Sequence, residues 1–206
     1  MLSKARVAAK IELILSVIVR SLVILFFGIL VPISPVYVEA AMAPKASVVP
    51  VSISIPSVGT NAPIISVGLT KTGNVDVPHN FVQAGWYTGN PTPGSEGSAI
   101  IDGHVDNGGY KPTIDGIFKH LDQAKLGDFI AVAMSDGTSR TFQIVKSAVY
   151  SLNAFPSTQV FRQDGAAYLK IITCHGIWLP ATDTYSQRLV VTAVLVPTNP
   201  DSLAVK

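Results

Sequence analysis

From residue 51 onward the chain is built of short segments in which apolar and polar residues alternate, separated by turn residues. Val51-Ser52-Ile53-Ser54-Ile55 has the two-residue period of a half-buried strand, and Pro56 ends it. Ile64 to Val67 follows and gives way to turn residues at Lys71–Asn74. Ser98 to Ile101 reads as a short buried strand. Phe129–Ala133 and Arg140–Val145 flank Ser135-Asp136-Gly137, which predicts a hairpin closed by Asp-Gly. Tyr168–Thr173 and Leu189–Val196 are the last two strands, both rich in β-branched residues. Helical pattern is confined to Gly116–Leu121 and Thr158–Phe161. Seven or eight short strands with so little helix predict an all-β domain, either one closed antiparallel barrel or a sandwich.

The N-terminus follows a different pattern. An apolar run from Ile11 to Val31 is broken only by Glu12, Ser16, Arg20, Ser21 and Gly28. About 20 apolar residues cross a bilayer as a helix, and Arg20 fits such a helix best at the cytoplasmic interface, with the span moved to Ser21–Val38. A signal peptide cleaved near Val38-Glu39-Ala40 or Ala41-Met42-Ala43 also fits this sequence. The expected organisation is therefore a basic cytoplasmic segment at 1–10 and a transmembrane anchor or signal peptide at 11–38. An extracytoplasmic linker at 39–50, the β-domain at 51–197 and a tail at 198–206 follow. Under both readings the β-domain lies outside the cytoplasm.

Charge supports that division. The 206 residues are only 14% charged and 48% hydrophobic, which rules out a disordered chain. The net charge of +2 arises at the N-terminus, where residues 1–50 hold five basic side chains against two acidic ones. Residues 51–197 hold nine against ten, so the β-domain has no basic surplus with which to bind nucleic acid. One cysteine excludes an intrachain disulfide and any multi-cysteine metal site.

That cysteine, Cys174, ends the apolar strand Leu169–Thr173. A thiol there is either a nucleophile or a small buried filler. Of the four histidines, His104 sits where Ile100-Ile101-Asp102 runs into a glycine-rich turn, a place that aims a side chain into a cleft. His79 and His120 read as loop residues, and His175, next to the cysteine on a strand, points to the opposite face. Acyl transfer by a thiol also needs donors for the developing oxyanion. Arg188, just before Leu189-Val190-Val191, is the arginine at the edge of a late apolar strand, whereas Arg140 and Arg162 read as solvated.

Over residues 51–197 the chain resembles the sortases, most closely their class F. The resemblance rests on Gly85-Trp86-Tyr87, Pro93-Gly94, Gly103-His104-Val105-Asp106, Phe118, Leu121, Gly127-Asp128 and Phe155-Pro156. It continues through Leu169–Cys174 and from Tyr185 to Arg188-Leu189-Val190-Val191. The ordered set is specific: a Gly-His, a Thr-Cys seventy residues on, and an Arg fourteen later. Ile171 departs conservatively from the family pattern, and His175–Trp178 and Gln187-Arg188 depart from it in the loop between the last two strands.

The resemblance implies a closed, eight-stranded antiparallel barrel with one or two short helices, preceded by the N-terminal transmembrane helix. It implies a single-pass protein of the cell membrane of a Gram-positive bacterium. Cys174 would be the nucleophile of a cysteine transpeptidase, His104 the general acid/base and Arg188 the oxyanion and substrate group. Leu152, Thr173 and Trp178 would touch substrate. Such an enzyme cleaves an LPXTG-like sorting signal at its Thr–Gly bond and passes the acyl group to an amine of a peptidoglycan precursor or a pilin lysine. No metal and no organic cofactor are implied. The rivals are a non-catalytic, membrane-anchored surface β-domain and another cysteine peptidase or hydrolase of the cell envelope. An L,D-transpeptidase would need a Ser-x-Gly-Cys setting, which the chain lacks, and a papain-like enzyme a cysteine before its catalytic histidine, whereas the candidate His104 precedes Cys174.

Overall fold

The computed structural model of the chain describes residues 47–197. Eight strands form a closed barrel: β1 (Pro50–Ile55), β2 (Thr60–Val67), β3 (Ala84–Tyr87), β4 (Gly97–Asp102), β5 (Phe129–Met134), β6 (Ser139–Ser151), β7 (Ala167–Leu179) and β8 (Thr184–Leu195). Around the barrel their order is β1-β2-β3-β4-β7-β8-β6-β5. The expected transmembrane helix at 11–38, the segment 1–10 and the tail 198–206 lie outside the described residues. Among the described residues no helix is long and apolar enough to cross a membrane.

The barrel is mixed, and this corrects the expectation of an antiparallel one. Pairs β2–β3 and β4–β7 run parallel, and the other six run antiparallel. Alternation reveals a strand's buried face and says nothing of its direction. Connection length does, because parallel neighbours need a crossover of a dozen or more residues. The sixteen residues from Gly68 to Gln83 between β2 and β3 are such a crossover.

Strand β3 was not expected as a strand from its pattern. It is four residues long, and three of them are buried, which leaves no alternation to read. Strands β6 and β7 run well past the expected ends at Val145 and Thr173. A register shift between Ile144 and Lys146, and a second between His175 and Trp178, break the period there. The predicted helices shrink to a four-residue α1 (Ser157–Val160) and 3-10 turns at Pro56–Val58, Leu121–Gln123 and Leu152–Ala154. The hairpin at Asp136-Gly137 joins β5 to β6 as expected, with Gly137 at a φ of 81°.

Two apolar clusters fix the site. The larger fills the barrel with Ile53, Ile101, Phe142, Leu169, Ile171 and Val191, and Phe118 and Leu121 join it from the β4–β5 connection. The smaller lies outside the barrel wall, where Ile100, Val160 and Val190 pack with Tyr87, Phe155, Phe161 and Ile172. All six residues of β4 are buried; Ala99 and Ile101 join the barrel cluster and Ile100 the outer one, so the strand is covered on both faces. Inward Leu169, Ile171 and Thr173 alternate with outward Lys170, Ile172 and Cys174, so the cysteine stands on the outer face, beside the second cluster.

Behind β4 the chain turns through Gly103 and returns at Gly116. A Cβ on Gly116 would lie 2.2 Å from the His104 carbonyl oxygen, a backbone atom that cannot swing away. Gly116→Ala should therefore lower the melting temperature by several degrees and reduce any activity that depends on His104. Gly68→Ala, which would meet nothing within 4 Å, should leave both unchanged. Thermal unfolding of the two variants checks the contrast.

Candidate active site

Strands β7 and β8 pair so that Cys174 stands directly opposite Arg188. The parallel pair β4–β7 places Asp102 beside Ile172, so His104 and Cys174 lie the same two residues beyond that pairing. His104, Cys174 and Arg188 all line one cleft of about 1190 Å³. Three residues singled out separately in the sequence thus come together.

Burial is the main influence on the Cys174 thiol and pushes its pKa up. The Arg188 guanidinium and the Tyr185 backbone oppose this, while the charges of Asp106 and Asp102 add to it. Arg188 therefore acts in the direction a nucleophile needs, but desolvation outweighs it, and the resting sulfur is a thiol.

His104 is half-buried, and its Nε2 lies 2.8 Å from the Pro78 carbonyl. A carbonyl only accepts, so Nε2 carries the hydrogen and Nδ1 is left for chemistry. The Phe81 ring packs on the imidazole at 4.5 Å between centroids. Both contacts come from the β2–β3 crossover, which forms a strap over the histidine.

The loop that carries His104 is tied to β7 and β8 at three points. Thr173, buried on the inner face, donates its hydroxyl to the Gly103 carbonyl at 2.9 Å. Its side chain is thus spent in holding the histidine loop, although the residue borders the cleft. Tyr185 donates to Asp106 at 2.7 Å, and the same Asp106 oxygen accepts the Gly108 N–H at 2.8 Å. Trp178 stacks edge-on against Tyr185 at 5.3 Å and lies so close to Gly108 that a Cβ there would come within 2.6 Å of its ring. Trp178 thus forms a wall of the cleft between the two loops.

Arg188 has no carboxylate partner among the described residues. Its Nη1 donates to the carbonyls of Tyr185 (3.1 Å) and Gln187 (2.9 Å), and its Nη2 to the Thr184 hydroxyl (3.0 Å). These bonds orient the guanidinium while its charge remains uncompensated. Leu152 lies 41% exposed where β6 gives way to a 3-10 turn, and it borders the cleft. Phe155 and Phe161 border it too and also pack in the outer cluster, so they serve both as wall and as seal.

Sequence reasoning missed the strap residues Pro78 and Phe81, and it missed Asp102. The signal for Asp102 was a carboxylate inside an otherwise apolar strand. It is 7% exposed, its Oδ1 has no hydrogen-bond partner, and the residue borders the cleft. A Cβ on Gly85 would sit 2.5 Å from that oxygen, which explains why the Gly85-Trp86-Tyr87 motif begins with glycine. Burial, offset in part by its own backbone and reinforced by Asp76, pushes the Asp102 carboxyl up to about 8.

A family model described as "Sortase domain" matches residues 53–196. No curated protein sequence matches the chain. Among solved structures, the lid mutant of sortase A from Corynebacterium diphtheriae superposes with a TM-score of 0.53 at 24% identity, covering 78% of this chain and 77% of that one. Sortase C1 of Streptococcus agalactiae, solved with MTSET, gives 0.53 at 20% identity over 72% and 67% of the two chains. A sortase D5 transpeptidase of Clostridium perfringens gives 0.51 at 20% identity over 72% and 79%. At these identities the superpositions speak for the fold.

Two outcomes follow from the ionisations. The folded protein holds a proton on Asp102 that the unfolded chain, with a carboxyl at 3.8, has lost. Stability should therefore fall as pH rises from 3.8 to about 8, and Asp102→Asn should flatten that fall and gain on the order of a few kcal/mol at its upper end. Denaturant unfolding across this range measures it. Alkylation of Cys174 by iodoacetamide should show a midpoint above that of free cysteine. Arg188→Gln should move the midpoint higher still, because it removes the charge that favours the thiolate.

Proposed function

The chain belongs to the sortase family of cysteine transpeptidases, and on that premise we propose that Cys174, His104 and Arg188 carry out acyl transfer from an LPXTG-like sorting signal. The observation that supports this most is the meeting of those three side chains on one cleft, with Cys174 and Arg188 as cross-strand partners.

In this reading the Cys174 proton passes to Nδ1 of His104, the nitrogen left free by the Pro78 carbonyl. The thiolate attacks the threonine carbonyl carbon, and the electron pair of the C=O bond moves to oxygen, within reach of the Arg188 donors. Collapse of that intermediate breaks the Thr–Gly bond as the imidazolium returns a proton to the departing amine. An incoming amine then gives a proton to Nδ1 of His104 as it attacks the thioester carbonyl, the new C–N bond forms, and the C–S bond breaks with the sulfur leaving as thiolate. Because burial keeps the resting sulfur protonated, the reactive ion pair is a minor form that substrate must draw on.

The finer assignments belong to the same proposal. Class F rests on the motif set from Gly85 to Arg188. The substrate's leucine and proline fit against Leu152, Phe155 and Phe161, and the acceptor amine, from a peptidoglycan precursor or a pilin lysine, fits on the Trp178 side. Residues 11–38 would hold the protein in the cell membrane with its N-terminus in the cytoplasm.

Incubation with an LPXTG-containing peptide should yield a Cys174-bound acyl species visible by mass spectrometry. Cys174→Ala should abolish both that adduct and peptide cleavage while keeping the melting temperature within a few degrees. Arg188→Lys should lower kcat/KM by ~10²–10³, since a single ammonium does not replace a planar fork of donors. Cleavage that persists in Cys174→Ala would defeat the reading.

A further inference from the structure

A second cavity, of about 410 Å³, opens on the same outer face of the barrel, beyond the apolar cluster under α1. Three cations line it: Lys146 from β6, Lys170 from β7 and Arg162 from the segment after α1. Register explains their convergence. Thr192 of β8 is the cross-strand partner of both Lys146 and Lys170, so the two ammonium stems rise on either side of one hydroxyl. The rings of Tyr150 and Tyr168 also line the cavity, and no carboxylate does.

Lys170 is the anomalous member. It is only 8% exposed, yet it forms no ion pair among the described residues. Its ammonium donates to the Gln159 carbonyl at the end of α1, which accounts for one of three protons. Lysine is almost never buried without a charge partner. Here the charges of Arg162 and Lys146 have the same sign and reinforce the cost of burial. Arg162 pairs with Asp164 through Nε and Nη2 at 2.9 Å. With Asp164 counted, the three cations keep a net charge of about +2, and no carboxylate lines the cavity.

We propose that this cavity is a binding site for a multiply charged phosphate-type oxyanion, held by Lys170 at its floor and by Lys146 and Arg162 at its rim. The donors fit a tetrahedral oxyanion: two free protons on Lys170, the ammonium of Lys146, the guanidinium of Arg162 and the Thr192 hydroxyl surround one space. The volume exceeds that of a single carboxylate and suits a phosphate with a second group attached. Lys170 lies four positions before Cys174 along β7, about 13 Å at ~3.3 Å per residue, with Ile172 and Val190 packed between. The site is therefore distinct from the catalytic cleft and does not depend on the transpeptidase reading.

The test uses the full chain in an uncharged detergent, titrated with pyrophosphate against chloride at matched ionic strength and followed by melting temperature and by 31P line width. Pyrophosphate should raise the melting temperature saturably, as a ligand of the folded state does. Lys146→Gln with Arg162→Gln, both exposed positions where the fold will survive, should weaken binding at least about tenfold. Lys170→Met, which keeps the apolar stem, should remove the response. A second arm compares vesicles of phosphatidylglycerol and phosphatidylcholine. A preference for phosphatidylglycerol that pyrophosphate competes away, and that the double variant lacks, assigns the anion to a lipid headgroup. Pyrophosphate binding without that preference assigns it to a soluble phosphate. No response beyond that of chloride, or an equal response in the double variant, overturns the site.

Discussion

The parallel pairing of β4 with β7 is the constraint from which the cleft follows. It sets Gly97 to Asp102 against Ala167 to Ile172 residue by residue, so both strands emerge from the wall at one level and in one direction. Whatever follows Asp102 then meets whatever follows Ile172. The remaining registers refine that placement: β8 brings Arg188 opposite Cys174, and β6 brings Tyr150 opposite Arg188. The wall that carries Cys174 and Arg188 is thus set by main-chain hydrogen bonds among four strands. Burial of β4 on both faces is what holds this pairing, since neither face of the strand can move toward water without exposing apolar surface.

Rigid walls carry a softer roof. The histidine loop has little regular structure of its own and is kept in place by local ties: Thr173 to Gly103, Tyr185 to Asp106, and Trp178 over Gly108. On the opposite side the strap from Gly68 to Gln83 reaches the imidazole through one carbonyl and one aromatic ring. The strap leaves Asp102 Oδ1 without a partner while it satisfies His104. A buried carboxyl tolerates that position only by keeping its proton, so the uncharged form of Asp102 belongs to the architecture of the cleft.

How much of this the sequence displays depends on what each residue has to do. Strands with one wet face announce themselves, as Val51–Ile55 and Phe129–Ala133 do, because alternation is their burial pattern. Strand β3 and the distal halves of β6 and β7 do not, since burial on both faces or a bulge erases the period. Strand direction is invisible to alternation, and hence the barrel was expected to be wholly antiparallel. His104, Cys174 and Arg188 were legible because each is a rare chemical type beside an apolar strand segment. Pro78 and Phe81 were not, because their part is played by a backbone carbonyl and an apolar ring, and neither has a spacing to detect. Lys170 reads in sequence as one lysine in an apolar strand; only the register to Thr192 and Lys146 reveals three cations around one space.

The bond from His104 to Pro78 has one further consequence. An imidazole with both nitrogens free can take a proton at one edge and release it at the other, acting as a relay between a buried group and water. With Nε2 anchored to a carbonyl, this ring has a single working edge. A proton lifted from sulfur must leave by the route it entered. The thiol and the departing amine must therefore occupy the same side of the ring in turn, and the order of events is imposed by the traffic of one hydrogen through one nitrogen.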